Sequence, residues 1–192
     1  MDQLAWQGRW LEVVLRDGWE FVRRRNATGV VGVVAATPDR EILLVRQFRV
    51  PVATETIELP AGLVGDGGVP EDPLVAAGRE LEEETGWRAG RLRLLCQAPS
   101  SAGLTSETLL LVMAEDLVQV GPGGGIPGEE SIRVERVPFD RVAAWLGERI
   151  GEGAVVDAKI WAALWFLGVP RDGGMELTVG GRGATISEGD PS

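Results

Sequence analysis

The sequence predicts an α/β sandwich on a mixed sheet, preceded by an N-terminal β-hairpin. Strand-like runs stand before, around and after one strongly signalled helix, and two further helical segments close the order. The 192 residues, 44% hydrophobic and 25% charged, suffice for one domain with a substantial core, and two full domains would be a squeeze. The expected organisation is a hairpin over 1–28, a main domain over 29–170 and a flexible tail over 171–192.

GRWLEVVLR and WEFVRRR flank the turn dipeptide Asp17-Gly18, a hairpin pattern. VVGVVAA (30–36) is almost continuously apolar, as a buried strand requires. Pro38-Asp39 turns the chain into a second strand, EILLVRQFR (41–49). TIELPAG (56–62) reads as one short strand entering the loop LVGDGGVP. The helix then carries its own punctuation: Asp72 to cap it, Pro73 at its first position and Gly86 to end it. Leu74, Ala77, Leu81 and Thr85 form its core-facing stripe. RLRLLCQA (91–98) and ETLLLVMAE (107–115) read as strands joined by PSSAGLTS. GPGGGIPGEE (121–130) reads as a mobile glycine-rich loop, and SIRVERVPF (131–139) as a further strand. Helices are expected over about 139–147 and about 157–168.

Composition prunes the chemistry. The formal net charge of −10 argues against sequence-independent nucleic-acid binding, yet a bound cation can reverse the local field for a small anionic substrate. No apolar run is long enough to span a bilayer and the start lacks signal-peptide character, so no membrane and a cytoplasmic setting are expected. Cys96 is the single cysteine, which excludes an intrachain disulfide; its neighbours Leu94, Leu95 and Ala98 suggest a small buried hydrophobe. The absence of histidine excludes His-based triads and His-ligated zinc. With tyrosine absent too, acid–base and metal work falls mainly on carboxylates, which prefer hard cations such as Mg²⁺ or Mn²⁺.

The informative stretch is residues 65–87, GDGGVPEDPLVAAGRELEEETGW. Glu80, Glu83 and Glu84 fall at i, i+3 and i+4, so their carboxylates share one face over about one turn. Most Glu-rich helix faces are merely solvated. Here Arg79 can orient a carboxylate, and a glycine-bearing loop leads in.

The pattern Gly65, Glu71, Arg79, Glu80, Leu81, Glu83, Glu84, Gly86, Trp87 resembles the Nudix signature at every fixed position. The resemblance implies a Nudix-type α/β/α sandwich and Mg²⁺-dependent attack of water on the pyrophosphate of a nucleoside diphosphate linked to another group. It implies Glu80 and Glu84 as principal metal ligands, Glu83 as a further ligand or base, Arg79 as their holder, and Glu71 as a brace for the loop.

The flanks are similar to the branch of ADP-ribose pyrophosphatases and nucleoside diphosphate-sugar hydrolases. ELPAG (58–62), VRQFR (45–49), GRWL, WEFVRR and VVDAKIWAAL carry that likeness over about residues 8–168. By position it implies that Trp10 and Trp19 sandwich the base, Glu20 and Arg24 contact base and ribose, and Arg49 meets phosphate. Leu63 would line the site, the carbonyl of Ala61 would bind metal, and Glu130 would activate or position water, with Glu129 one residue away. Glu107 is a weaker candidate for metal or substrate contact. The likeness implies a homodimer with exchanged N-terminal strands, so that the 1–28 segment serves dimerisation and base binding. The implied reaction yields AMP and a sugar phosphate; the alternatives are hydrolysis of GDP-mannose or dinucleotides, or a nucleotide-sugar sensor that binds without cleaving. One departure is that Gly62 of LPAG lies nine residues before Glu71, so the loop carries about three extra residues within LVGDGGVP.

Overall fold

The structure is a computed structural model that describes residues 1–126 and 131–169. The N-terminal segment is an antiparallel sheet of three strands rather than two: β1 (Gln3–Gln7), β2 (Leu11–Arg16) and β3 (Trp19–Arg24), in that order. The expected hairpin is β2–β3, closed by Asp17 and Gly18, both at positive φ as a two-residue turn of this hand demands. Asp2 adds β1 to it through Arg16, at 2.7 Å, and Arg23, at 2.9 Å.

Two four-stranded sheets follow. One has β4 (Gly29–Ala35) and β9 (Thr108–Gln119) parallel at its centre, flanked by antiparallel β7 (Ala61–Val64) and β8 (Trp87–Pro99). The other runs β10 (Arg133–Pro138), β5 (Glu41–Arg49), β6 (Thr54–Glu58), β11 (Val155–Val156), with only the β6–β11 pair parallel. TIELPAG is therefore two strands, not one. Leu59-Pro60 carries the chain from one sheet to the other, and the Pro60 carbonyl accepts from Val33 N–H at 2.7 Å.

The layers are helix, sheets, helices. On one side α1 (Pro73–Thr85) lays Ala76, Ala77 and Leu81 against Val31, Val33, Leu43 and Val112. On the other, α2 (Val142–Gly151) and α3 (Lys159–Phe166) bury Val142, Leu146 and Ile160 against Val34, Ile42, Leu44 and Ile57. Adjacent residues of β4 thus serve opposite cores, which is why that run is continuously apolar. The α2 helix starts three residues later than expected. Residues 138–141 form a turn, with Phe139 N–H given to the Arg40 carbonyl and Arg141 N–H to Pro138. Cys96 is half-buried against the α2/α3 core.

The caps of α1 are as the sequence predicts. The Asp72 side chain accepts from Leu74 N–H at 2.8 Å, and Gly86 closes the helix through Glu82. The glycine-rich loop departs from its expected mobility in its first half. Gly124 and Gly125 N–H groups bind the Glu84 and Glu83 carbonyls at 2.8 and 3.1 Å, satisfying acceptors that a helix end leaves open. Gly123 lies so close to α1 that a Cβ there would sit 2.4 Å from the Thr85 carbonyl carbon.

Candidate active site

Strand β7 is the floor of the site, and the last turn of α1 lies on it. Ala61 N–H donates to Glu84 Oε2 at 3.0 Å, and Glu84 is buried. Gly62 faces Glu80 so tightly that a Cβ would fall 1.9 Å from Glu80 Cδ. Only a glycine leaves the cradle in which that carboxylate rests. The Leu63 carbonyl accepts from Arg79 Nη2 at 3.3 Å.

Arg79 is the hub. It binds Glu80 Oε1 at 2.8 Å, Glu83 Oε2 at 3.2 Å and both oxygens of Glu71 at 3.2 and 3.3 Å. The Glu71 hydrogen bond, and then Glu80, hold its guanidinium more firmly protonated than usual, against the opposing effect of burial. In return Arg79 lowers Glu71, with burial opposing and the Gly65 N–H, at 3.1 Å, adding to the effect. Glu71 therefore braces the loop. The two candidate glycines have separate tasks: Gly65 receives Glu71, while Gly62 seats Glu80.

The glutamates stand at the C-terminal end of α1, where the helix dipole is negative. Three carboxylates placed there cost stability unless cations offset them, and Arg79 supplies one positive charge. Among the described residues, no three acidic side chains already meet as a metal centre. The donors nevertheless suit a hard divalent cation: they are all oxygens, they share one helix face, and the Gly62 cradle accommodates a ligand carboxylate.

Beside this face lies a cleft of about 220 Å³ lined by Trp10, Arg24, Asn26, Ala27, Leu63 and Asp66. Leu63 thus joins the cleft to the carboxylate face. Arg9 stacks its guanidinium on the Trp10 ring, 4.4 Å from the centroid. Arg24 pairs with Glu107, which Ser100 also binds at 2.9 Å; Glu107 is placed to orient Arg24. A second cleft of about 310 Å³, lined by Gly65, Asp66, Val69, Pro70, Glu71 and Arg79, adjoins the first through Asp66.

Trp19 and Glu20 are not brought to this cleft within the chain. Register pairs Leu11 with Arg24 and Arg16 with Trp19. Five steps at about 3.3 Å put Trp19 roughly 17 Å from the Trp10 end. A base held between two rings needs them about 7–8 Å apart. Trp19 instead lines a surface cleft at the hairpin tip with Arg16, Phe21 and Gly103.

Arg49 ends β5 and grips Glu58 with two parallel hydrogen bonds of 2.7 and 2.8 Å. Burial raises the Glu58 carboxyl, but Arg49 and Thr56 together outweigh it, and the net shift is downward. Sequence reasoning did not single out Glu58; a carboxylate set between Ile57 and Leu59 was the available signal. Glu129 and Glu130 lie outside the described residues.

The profile of the NUDIX domain matches residues 25–155. The chain belongs to the Nudix family. Its relatives include the ADP-ribose pyrophosphatase of Bacillus subtilis (strain 168), 32% identical over 72% of this chain and 71% of that protein. A methanol dehydrogenase activator of Bacillus methanolicus is 31% identical over the same shares of each chain. The crystal structure of an ADP compounds hydrolase superposes with a TM-score of 0.65 over 87% of this chain and 89% of that one; at 24% identity it shows the shared fold. This Nudix protein is a pyrophosphohydrolase of the branch that holds ADP-ribose pyrophosphatases, and hydrolases of the family generally use divalent metal ions.

Proposed function

We propose that this Nudix enzyme hydrolyses the pyrophosphate bond of ADP-ribose, or a related nucleoside diphosphate sugar, in the presence of Mg²⁺ (Mn²⁺ as a substitute). The observation that carries this reading is the double contact of β7: Ala61 and Gly62 seat Glu84 and Glu80, while Leu63 lines the aromatic cleft. A nucleoside stacked on Trp10 would therefore have its phosphates beside the carboxylate face.

Glu80 and Glu84, with the Ala61 carbonyl and Glu83, would hold the metal. When bound, it neutralises phosphate charge and acidifies water. Water attacks one phosphorus, the bridging P–O bond breaks, and the leaving phosphate oxygen keeps the bonding pair, giving AMP and a sugar phosphate. Glu83 or Glu130 accepts the proton of water; Arg79 keeps Glu80 and Glu83 aligned. Arg49, half-exposed at the end of β5, presents its guanidinium to phosphate.

The roughly 17 Å between the Trp10 and Trp19 ends supports a homodimer in which the partner's hairpin tip completes the base site. The all-carboxylate signature, complete through Glu84, favours hydrolysis over sensing. The test is phosphatase-coupled phosphate release with Mg²⁺ from ADP-ribose, GDP-mannose and diadenosine compounds. ADP-ribose should be cleaved best; tight binding without turnover of any member would replace the enzyme by a sensor.

A further inference from the structure

The loop before α1 does more than span a gap. Asp66 begins a single 3-10 turn, Asp66–Gly68, that is tied down on both sides. Gly65 N–H donates to Glu71 Oε2 at 3.1 Å, and Gly68 N–H donates to the Asn26 carbonyl at 3.3 Å and to that of Gly65 at 3.1 Å. Asn26 is itself a wall of the Trp10 cleft, so the turn is fastened to the cleft that it borders. Among the described residues, Asp66 is the one that lines both this cleft and the adjoining one above Glu71 and Arg79.

At about 220 Å³ the Trp10 cleft is smaller than the roughly 300–1,000 Å³ of sites that enclose a whole drug-sized ligand. It suits one part of a nucleotide sugar, and Trp10 offers a face for a base. Two of its polar walls oppose each other in chemistry: Arg24 only donates hydrogen bonds and the Asp66 carboxylate only accepts them, while the Asn26 amide can do either. A base edge that carries an amino donor beside a ring-nitrogen acceptor matches that pair. On the edge that carries N7, a carbonyl in place of the amino group leaves two acceptors and turns a lone pair toward the carboxylate.

Resting on the nucleoside diphosphate-sugar reading above, we propose that Asp66 is a specificity-determining residue, accepting a hydrogen bond from the amino group of an adenine stacked on Trp10. The extra residues of the loop would then set base selectivity. The same position would make hypoxanthine, which has a carbonyl in place of the amino group, a poor ligand.

The probes are AMP and IMP, titrated by calorimetry into the full-length protein and its Asp66→Asn variant, with ADP-ribose cleavage measured in parallel. Asparagine keeps the shape of the residue and can donate to the hypoxanthine carbonyl. Wild type should bind AMP about tenfold or more tightly than IMP, and the variant should bring that ratio near one, because a hydrogen bond to a charged group is lost. Equal binding of AMP and IMP by wild type, or the same ratio in a folded variant, would overturn the assignment. Absence of AMP binding would overturn it as well. Failure to cleave ADP-ribose, with AMP still preferred through Asp66, would instead remove the enzymatic reading and leave this one standing.

Discussion

Replacing Gly62 by alanine separates chemistry from stability at one position. The added Cβ would stand 1.9 Å from Glu80 Cδ, 2.0 Å from Oε1 and 2.4 Å from Oε2. Carbon atoms in ordinary contact keep about 3.5 Å, so about 1.6 Å of movement is needed. Strand β7 cannot supply it, since Gly62 is paired with Val31 within the sheet. The Glu80 carboxylate must swing away, out of its cradle and away from its 2.8 Å contact with Arg79. A displacement of about 1 Å at a catalytic group can cost on the order of 100-fold in rate, or about 2.7 kcal/mol of barrier. The flexible end of a glutamate yields cheaply, so the melting temperature should fall by only a few degrees, within about 1 kcal/mol. The assay is kcat/KM for ADP-ribose at saturating Mg²⁺, alongside thermal denaturation. Activity within about threefold of wild type would refute the role given to the Gly62 cradle.

Gly123→Ala should act in the opposite way, on folding: at φ +67 its Cβ meets backbone atoms of Thr85 and Glu84 at 2.4–2.7 Å, and urea unfolding should register a loss of about 2–4 kcal/mol. Trp10→Ala should raise KM by about 5- to 150-fold, the equivalent of about 1–3 kcal/mol of stacking, in initial-rate measurements. If the base site spans two subunits, mixing the Trp10→Ala and Trp19→Ala proteins should regain activity, because half of the sites in each mixed dimer carry both rings; a mixture no better than its components would argue against the shared site. Glu58 carries the pH prediction. Its folded pKa lies below the ordinary value of about 4.5, so its stabilisation is complete above that pH and is lost as acid takes the solution through the lower folded value. Glu58→Gln should flatten the fall in melting temperature below pH 4.5 and cost about 1–3 kcal/mol at pH 7, since Arg49 is left beside a neutral partner yet remains half-exposed.

Local signals were legible in the sequence. The α1 boundaries rest on Asp72, Pro73 and Gly86, each of which acts on its immediate neighbours, and β4 and β5 announced themselves by apolar runs with both faces buried. What escaped depends on distant pairing. Every residue of β1 is exposed, so it shows no buried alternation, and Asp2 reaches Arg16 and Arg23 only once β2 and β3 exist. The two residues of β11 form a strand because β6 lies beside them. The break at Leu59-Pro60 reflects a hydrogen bond from Val33, far back in the chain.

The site shows the same division. Spacing alone placed Glu80, Glu83 and Glu84 on one helix face. It said nothing of Gly62 beneath Glu80, which meet where α1 packs on β7, or of Glu58, which the Arg49 side chain reaches along the β5–β6 pair although register sets Arg49 opposite Thr54. The separation of Trp10 and Trp19 was within reach, since counting back from the two-residue turn at Asp17-Gly18 sets them at opposite ends of the hairpin.

The most direct test of the central claim follows ADP-ribose in H₂¹⁸O by mass spectrometry, with wild type and Glu84→Gln side by side. The amide oxygen of the replacement side chain can still accept from the Ala61 N–H, so the variant should fold, which circular dichroism checks. Wild type with Mg²⁺ should yield AMP and ribose phosphate in equal amounts, one of them carrying a single ¹⁸O. The variant should be slower by about 100-fold or more. Equal rates for the two proteins, or no Mg²⁺-dependent AMP from wild type, would contradict the account.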